Sequence, residues 1–172
     1  FAALSANTKP VIGLNWRGNR ADTLKQNRNI PAEHFKTITT TCDANFLSLQ
    51  KDSRHSESET IFGVEKTSKL QPEINAIANS DASEDFLEYV AIIENCDLVI
   101  TTATTVAHIA GGMGKPTWIL LERIPDWRWG LEGNSCFWYP SARLFRQKDH
   151  GDWKELIQVV ARELKKYLKE IQ

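Results

Sequence analysis

Short apolar runs alternate with amphipathic stretches along the chain. Residues 11–16 form an apolar run bracketed by Pro10 and Gly18 and predict a first strand. Pro31 then opens a predicted helix reaching about Thr41, in which Phe35, Ile38 and Cys42 recur at helical spacing and share one face. Residues 45–50 (NFLSLQ) predict a second strand, and the nearly all-polar stretch 51–60 a surface loop. Two shorter candidate strands follow at 61–64 and 74–78. Residues 83–96 predict a helix with Phe86, Val90 and Ile93 on one side, Leu87 beside them, and Asp81 or Ser83 as cap. A buried strand is predicted at 97–101, a helix at 104–113 stopped by Gly114, and another buried strand at 117–121. Residues 124–140 are aromatic and irregular, and 143–145 suit a last short strand. Asp152 and Glu155 have capping-box spacing ahead of a long helix striped by Trp153, Leu156, Val160, Leu164, Tyr167 and Ile171.

This rhythm of strand and helix predicts βαβ units, hence an α/β fold of Rossmann-like type: an open, mostly parallel sheet with helices on both faces. The strands lack clean polar alternation, as burial on both faces requires. The sequence contains no repeat, low-complexity tract or linker, so residues 1–172 read as a single domain.

Composition narrows the function classes. The formal net charge of −1 argues against a nucleic-acid binder that works by bulk electrostatics. Cys42, Cys96 and Cys136 are odd in number and lack metal-ligand spacing, which suits buried thiols in a reducing, cytoplasmic setting. No apolar run reaches transmembrane length, and the first ten residues do not have the pattern of a signal peptide. Without an initiator methionine the chain reads as a fragment of something longer. His34, His55 and His150 are scattered and suggest no metal site, and no GxGxxG, P-loop, HExxH or GxSxG motif is present.

Ligands of open parallel sheets sit beyond the carboxyl ends of the strands. Two segments fall there: the loop after the first strand, from Trp16 through Arg17, Gly18 and Asn19 to Arg20, and the stretch TTATTVAH at 101–108. The second would present the unpaired amides of a helix N-terminus to an anion, with the Thr104 and Thr105 hydroxyls as further donors. The same threonines would serve equally as plain caps with nothing bound. His108, one turn in, is either a packing residue or a ligand contact. Arg28 could grip two phosphate oxygens, whereas a solvated surface role is the commoner fate of an arginine; the same holds for Arg17 and Arg20. Trp127, Trp129 and Trp138 could stack on bases or sugars, or seal the sheet edge. Trp138 reads as a sealing residue, and the other two stay open.

Residues 99–121 (VITTATTVAHIAGGMGKPTWILL) resemble the helix and flanking strands of heptosyltransferase-like glycosyltransferases (family 9-like), above all the domain found behind tetratricopeptide repeats in bacterial proteins. VIGLNWRGN at 11–19, NRNIP at 27–31, NFLSLQK at 45–51 and PDWRWGLEGNSCFWYPSARLFRQ at 125–147 extend the resemblance over nearly the whole chain. It implies the C-terminal, donor-binding half of a GT-B architecture, which would hold a nucleotide-diphosphate sugar as donor substrate, with no cofactor and no metal. It also implies an N-terminal acceptor domain and tetratricopeptide repeats as partners. By position Arg28 and His108 would be catalytic, while Arg17, Gly18, Asn19, Gln50, Thr104, Thr105, Asp126 and Trp127 would contact substrate. One departure stands out: the family usually has aspartate where this chain has Ala103. That loss, together with the absent acceptor half, motivates an alternative, a degenerate non-catalytic scaffold or protein-interaction domain of the same fold.

Overall fold

The computed structural model describes residues 9–18, 27–50 and 86–171. In chain order the elements are β1 (Val11–Asn15), α1 (Ala32–Thr41), β2 (Asn45–Ser48), α2 (Phe86–Glu94), β3 (Leu98–Thr102), α3 (Thr105–Gly112), β4 (Thr117–Leu121), β5 (Ala142–Arg146) and α4 (Trp153–Glu170). The strands form one sheet in the order β2-β1-β3-β4-β5, and every pairing is parallel. The Rossmann-like expectation therefore holds. The candidate strands at 61–64 and 74–78 and the loop at 51–60 lie outside the described residues.

Side chains alternate across the sheet with the period of two that strands impose. Ile12, Leu14, Leu98, Ile100, Trp118, Leu120 and Phe145 point to one face, where they pack on Phe35 and Ile38 of α1 and on the buried side of α4. Val11, Leu47, Leu49 and Val99 point to the other, against Ile92 and Ile93 of α2 and Val106 and Ala110 of α3. Ile119, Leu121 and Leu144 continue that second face toward β5, over Ala107 and Trp129. Both faces are thus covered by helices, which explains the continuous apolar runs.

Two helices differ in detail from the sequence pattern. On α2 Leu87 is exposed, and Ile92 shares the buried face with Ile93. On α4 the buried band is wider than the predicted stripe, taking in Ile157, Ala161 and Leu168, while Ile171 falls at the exposed C-cap. Asp152 caps α4 by accepting from the Glu155 N–H at 2.9 Å, but the Glu155 carboxylate turns to Lys148 at 2.6 Å, so the capping box is half formed. Gly114, with φ +72°, ends α3 in the left-handed conformation the sequence suggested.

Candidate functional site

From β1 the chain crosses to β2 on one side, whereas β3, β4 and β5 follow one another on the other side. The carboxyl ends of β1 and β3 therefore flank the switch point where open α/β sheets bind ligands. The N-terminus of α3 opens there.

A buried polar network builds this rim. Asn15 ends β1 beside its register partner Thr101 on β3. Its Oδ1 accepts from the Thr104 hydroxyl at 3.0 Å and lies 3.1 Å from the Thr101 hydroxyl oxygen. Its Nδ2 donates to Gln50 Oε1 at 3.2 Å. Gln50 Oε1 also accepts from the backbone N–H groups of Trp16 at 3.3 Å and Arg17 at 3.0 Å. The loop leaving β1 is closed from the far side as well: the Ile30 N–H donates to the Trp16 carbonyl, and the Gly18 N–H to Asn29 Oδ1. These bonds tie the ends of β1, β2 and β3 into one rigid lip.

Two of the residues expected to contact a ligand lie inside this network. Thr104 and Gln50 are buried, and their side chains bond within the lip. The Thr104 N–H is also used locally, donating to the Thr102 carbonyl at 2.7 Å. Thr105, the first residue of α3, is the exposed member of the threonine pair.

Arg28 lies at the mouth of α3. Its Nη1 donates to the Ala103 carbonyl at 3.1 Å. Its guanidinium rests on Gly18 so closely that a Cβ there would stand 2.6 Å from Nη2. A cation is thus parked where the helix end is itself electropositive. Glu122, one residue past β4, joins the same rim. Burial raises its carboxyl pKa, against the opposing pull of the Arg28 and His150 charges. Sequence reading missed Glu122, whose only signal was its place immediately after a buried strand.

His108 sits one turn into α3. Its ring stacks on Trp129, with centroids 5.2 Å apart and planes 24° apart, and its Nδ1 lies 2.9 Å from the Tyr139 hydroxyl. Burial, then the Arg128 charge, lower its pKa, with Asp126 opposing, so the neutral ring is favoured. Asp126 caps the 3-10 turn Trp127–Trp129 through the Arg128 N–H and pairs with the Arg128 guanidinium at 2.7 Å. That guanidinium lies over the exposed ring of Trp127. Trp138, expected to seal the sheet edge, is half exposed and pinned instead by its indole N–H to the Arg128 carbonyl.

The structure therefore gathers Arg17, Gly18, Arg28, Gln50, Thr104 and Thr105 at the β1/β3 rim, and His108, Asp126 and Trp127 along α3 and the loop after β4. Asn19 lies outside the described residues. Among the described residues no cluster of three or more His, Cys, Asp or Glu could hold a metal ion, and no helix is long and apolar enough to cross a membrane.

No protein-family model matches the chain. Protein FlbA of Caulobacter vibrioides is 27% identical over 158 residues, which cover 92% of this chain and 25% of that protein. Among solved structures, Escherichia coli ADP-heptose LPS heptosyltransferase II superimposes with a TM-score of 0.58 at 15% identity, over 98% of this chain and 50% of its own. A family 9 glycosyltransferase of Veillonella parvula gives a TM-score of 0.54 at 16% identity, over 95% of this chain and 47% of its own. The chain has the heptosyltransferase-like fold of family 9 structures and spans about half their length.

Proposed function

We propose that this chain is the donor-binding half of a GT-B glycosyltransferase that transfers a sugar from a nucleoside diphosphate without a metal ion. The observation that carries this reading is the placement of the Arg28 guanidinium, flat on Gly18 and bonded to the Ala103 carbonyl, at the N-terminal mouth of α3. A diphosphate seated there would meet the guanidinium and the electropositive helix end together. As the bond to the sugar breaks, negative charge grows on the leaving phosphate, and these fixed groups would stabilise it in advance. Neutral His108 would add a hydrogen bond without a net charge. The likeness to a heptosyltransferase described by its ADP-linked sugar supports a nucleotide-linked donor. The three free, buried cysteines suit a cytoplasmic setting. The acceptor would be held by a second domain, with tetratricopeptide repeats as a further proposed partner.

Calorimetry with ADP tests the reading. Binding in the micromolar to millimolar range is expected, weakened by about 1–3 kcal/mol in Arg28→Ala, the range for a charged hydrogen bond. Folded protein that takes up neither ADP nor UDP would overturn it.

A second reading, a non-catalytic interaction domain of the same fold, is favoured by one observation. Thr104 has spent both its hydroxyl and its amide on internal partners, which leaves a smaller cradle than two outward threonines would make. Sugar transfer by a protein carrying this domain with its acceptor half would remove that reading.

A further inference from the structure

His108 is held more deliberately than a surface histidine on a short helix requires. Trp129 stacks on one face of its ring. Tyr139 meets it edge-on, at 5.8 Å and 67°, with its hydroxyl 2.9 Å from Nδ1. Tyr139 reaches that position because α3 is notched. A Cβ on Gly111 would stand 2.5 Å from the Tyr139 ring, so only glycine lets the phenol lie against the helix. The stretch carrying Trp129 is fixed in turn by Arg146 of β5, whose guanidinium donates to the carbonyls of Trp129, Gly130, Glu132 and Gly133. Two elements from opposite sides of the aromatic loop thus converge on one imidazole.

We propose that Tyr139 is the positioning residue for His108: its O–H donates to Nδ1, so the ring's single proton stays on Nε2, where it can donate to an anionic ligand. This rests on the reading of α3 as a diphosphate seat. The chemistry is constrained by proton count. A neutral imidazole has one N–H. A phenol that donates to Nδ1 needs that nitrogen bare, which assigns the N–H to Nε2 on the opposite edge of the ring. A phosphate oxygen accepts and never donates when ionised, so only the Nε2–H tautomer serves it. A phenol accepting from Nδ1–H would instead leave Nε2 as a bare acceptor, which repels a phosphate. Among the described residues, the other charged groups acting on the ring are Asp126 and Arg128 of the 3-10 turn, and α3 itself carries no other titratable side chain.

The test is nitrogen-15 NMR of the His108 ring in wild type and Tyr139→Phe, paired with ADP titration at pH 8 and at an acidic pH where the ring spectra show both nitrogens protonated in both proteins. In the wild type at pH 8, Nε2 should carry the proton and Nδ1 should be bare. Because a donor on Nδ1 favours the neutral ring, its removal should raise the His108 pKa. ADP affinity should fall about three- to tenfold at pH 8 and recover most of that loss at the acidic pH, where both nitrogens carry protons with or without Tyr139. A loosened loop would weaken binding alike at both pH values and would overturn the proposal. So would a protonated Nδ1 in neutral wild-type protein, an observation that needs no variant to fold. Wild type that binds neither ADP nor UDP would sink the donor-site reading alone, because the ring spectra would still decide whether Tyr139 sets the tautomer.

Discussion

The lip around β1 and β3 and the loop between β4 and β5 border the same helix but are ordered by opposite means. The lip is held by neutral groups from three strand ends: among the described residues, Asn15, Gln50, Thr101 and Thr104 bond to one another and to backbone. The loop buries Trp129 and Cys136 against the sheet, is gathered by two cations, Arg146 and Arg128, and carries its other tryptophans outward. Trp127, Phe137 and Trp138 are all exposed and contact one another edge-on. A neutral buried network costs little desolvation and fixes a shape independent of salt and pH. A cation gathering carbonyls can order a loop that has few buried apolar side chains, at the expense of depending on one side chain. The lip is built as a permanent frame, and the loop as a platform resting on a single post.

Removing the post should have the largest effect. Arg146→Ala leaves four carbonyls without their shared donor, and a cost of about 2–4 kcal/mol in unfolding free energy is expected, since bonds to a charged group exceed neutral ones. Urea denaturation measures the stability, and the Trp129 environment should change in parallel in fluorescence. A loss below ~0.5 kcal/mol would mean that the loop is ordered by its aromatic contacts instead. Breaking the frame at its hub comes next. Asn15→Ala removes the buried acceptor shared by the Thr101 and Thr104 hydroxyls, which keep only their contact with each other and local backbone, and takes one donor from Gln50 Oε1; this predicts about 1–3 kcal/mol. Unlike the Arg146 variant, this loss should be insensitive to salt, so the same denaturation series at two ionic strengths separates the two modes of ordering.

Much of this architecture was legible in the residues, for a physical reason. Strands buried on both faces read as unbroken apolar runs, so residues 117–121 fall where predicted and the others within a residue or two. The place of the rim was legible too, because it lies beyond the carboxyl ends of the strands, although the threonines alone read equally as plain caps. What could not be read was direction. Thr104 and Thr105 are equivalent in sequence, and only Asn15, 89 positions away, decides that the first turns inward. Gln50 turns to the β1 loop for the same kind of reason. Gly111 looks like an ordinary helical glycine until Tyr139 is laid against it. Each of these depends on a partner distant in the chain, and no local periodicity encodes it.

A smaller substitution sharpens the boundary between frame and ligand seat. Gly18→Ala puts a methyl 2.6 Å from the Arg28 guanidinium. Since Arg28 is a flexible side chain, it should yield and the fold should survive, with a melting temperature within ~2 °C of wild type. The displaced guanidinium should lose its place at the mouth of α3, so ADP affinity should fall roughly tenfold. Equal affinity would show that Arg28 does not work from this position. A large drop in melting temperature would show that the guanidinium braces the lip itself.

The smallest expected effect separates His108 from the frame by pH. Its folded pKa is depressed by burial and the Arg128 charge, so the folded protein binds the imidazole proton more weakly than the unfolded chain. Stability should therefore be level above the unfolded value, near ~6.5, and decline as pH falls through the window between that value and the lower folded one. The ring is partly open to solvent, which keeps the decline shallow. Glu122 slopes the other way: burial raises its folded pKa, so its contribution weakens as pH rises from the unfolded carboxyl value toward the folded one and is flat beyond it. Between about pH 7 and pH 6 the histidine should dominate, and the slope there should vanish in His108→Gln while surviving in Glu122→Gln. Thermal melts across that interval decide it. A slope that persists without His108 would mean that the ring exchanges its proton as freely folded as unfolded, and that the aromatic seat around it exerts no hold on its charge.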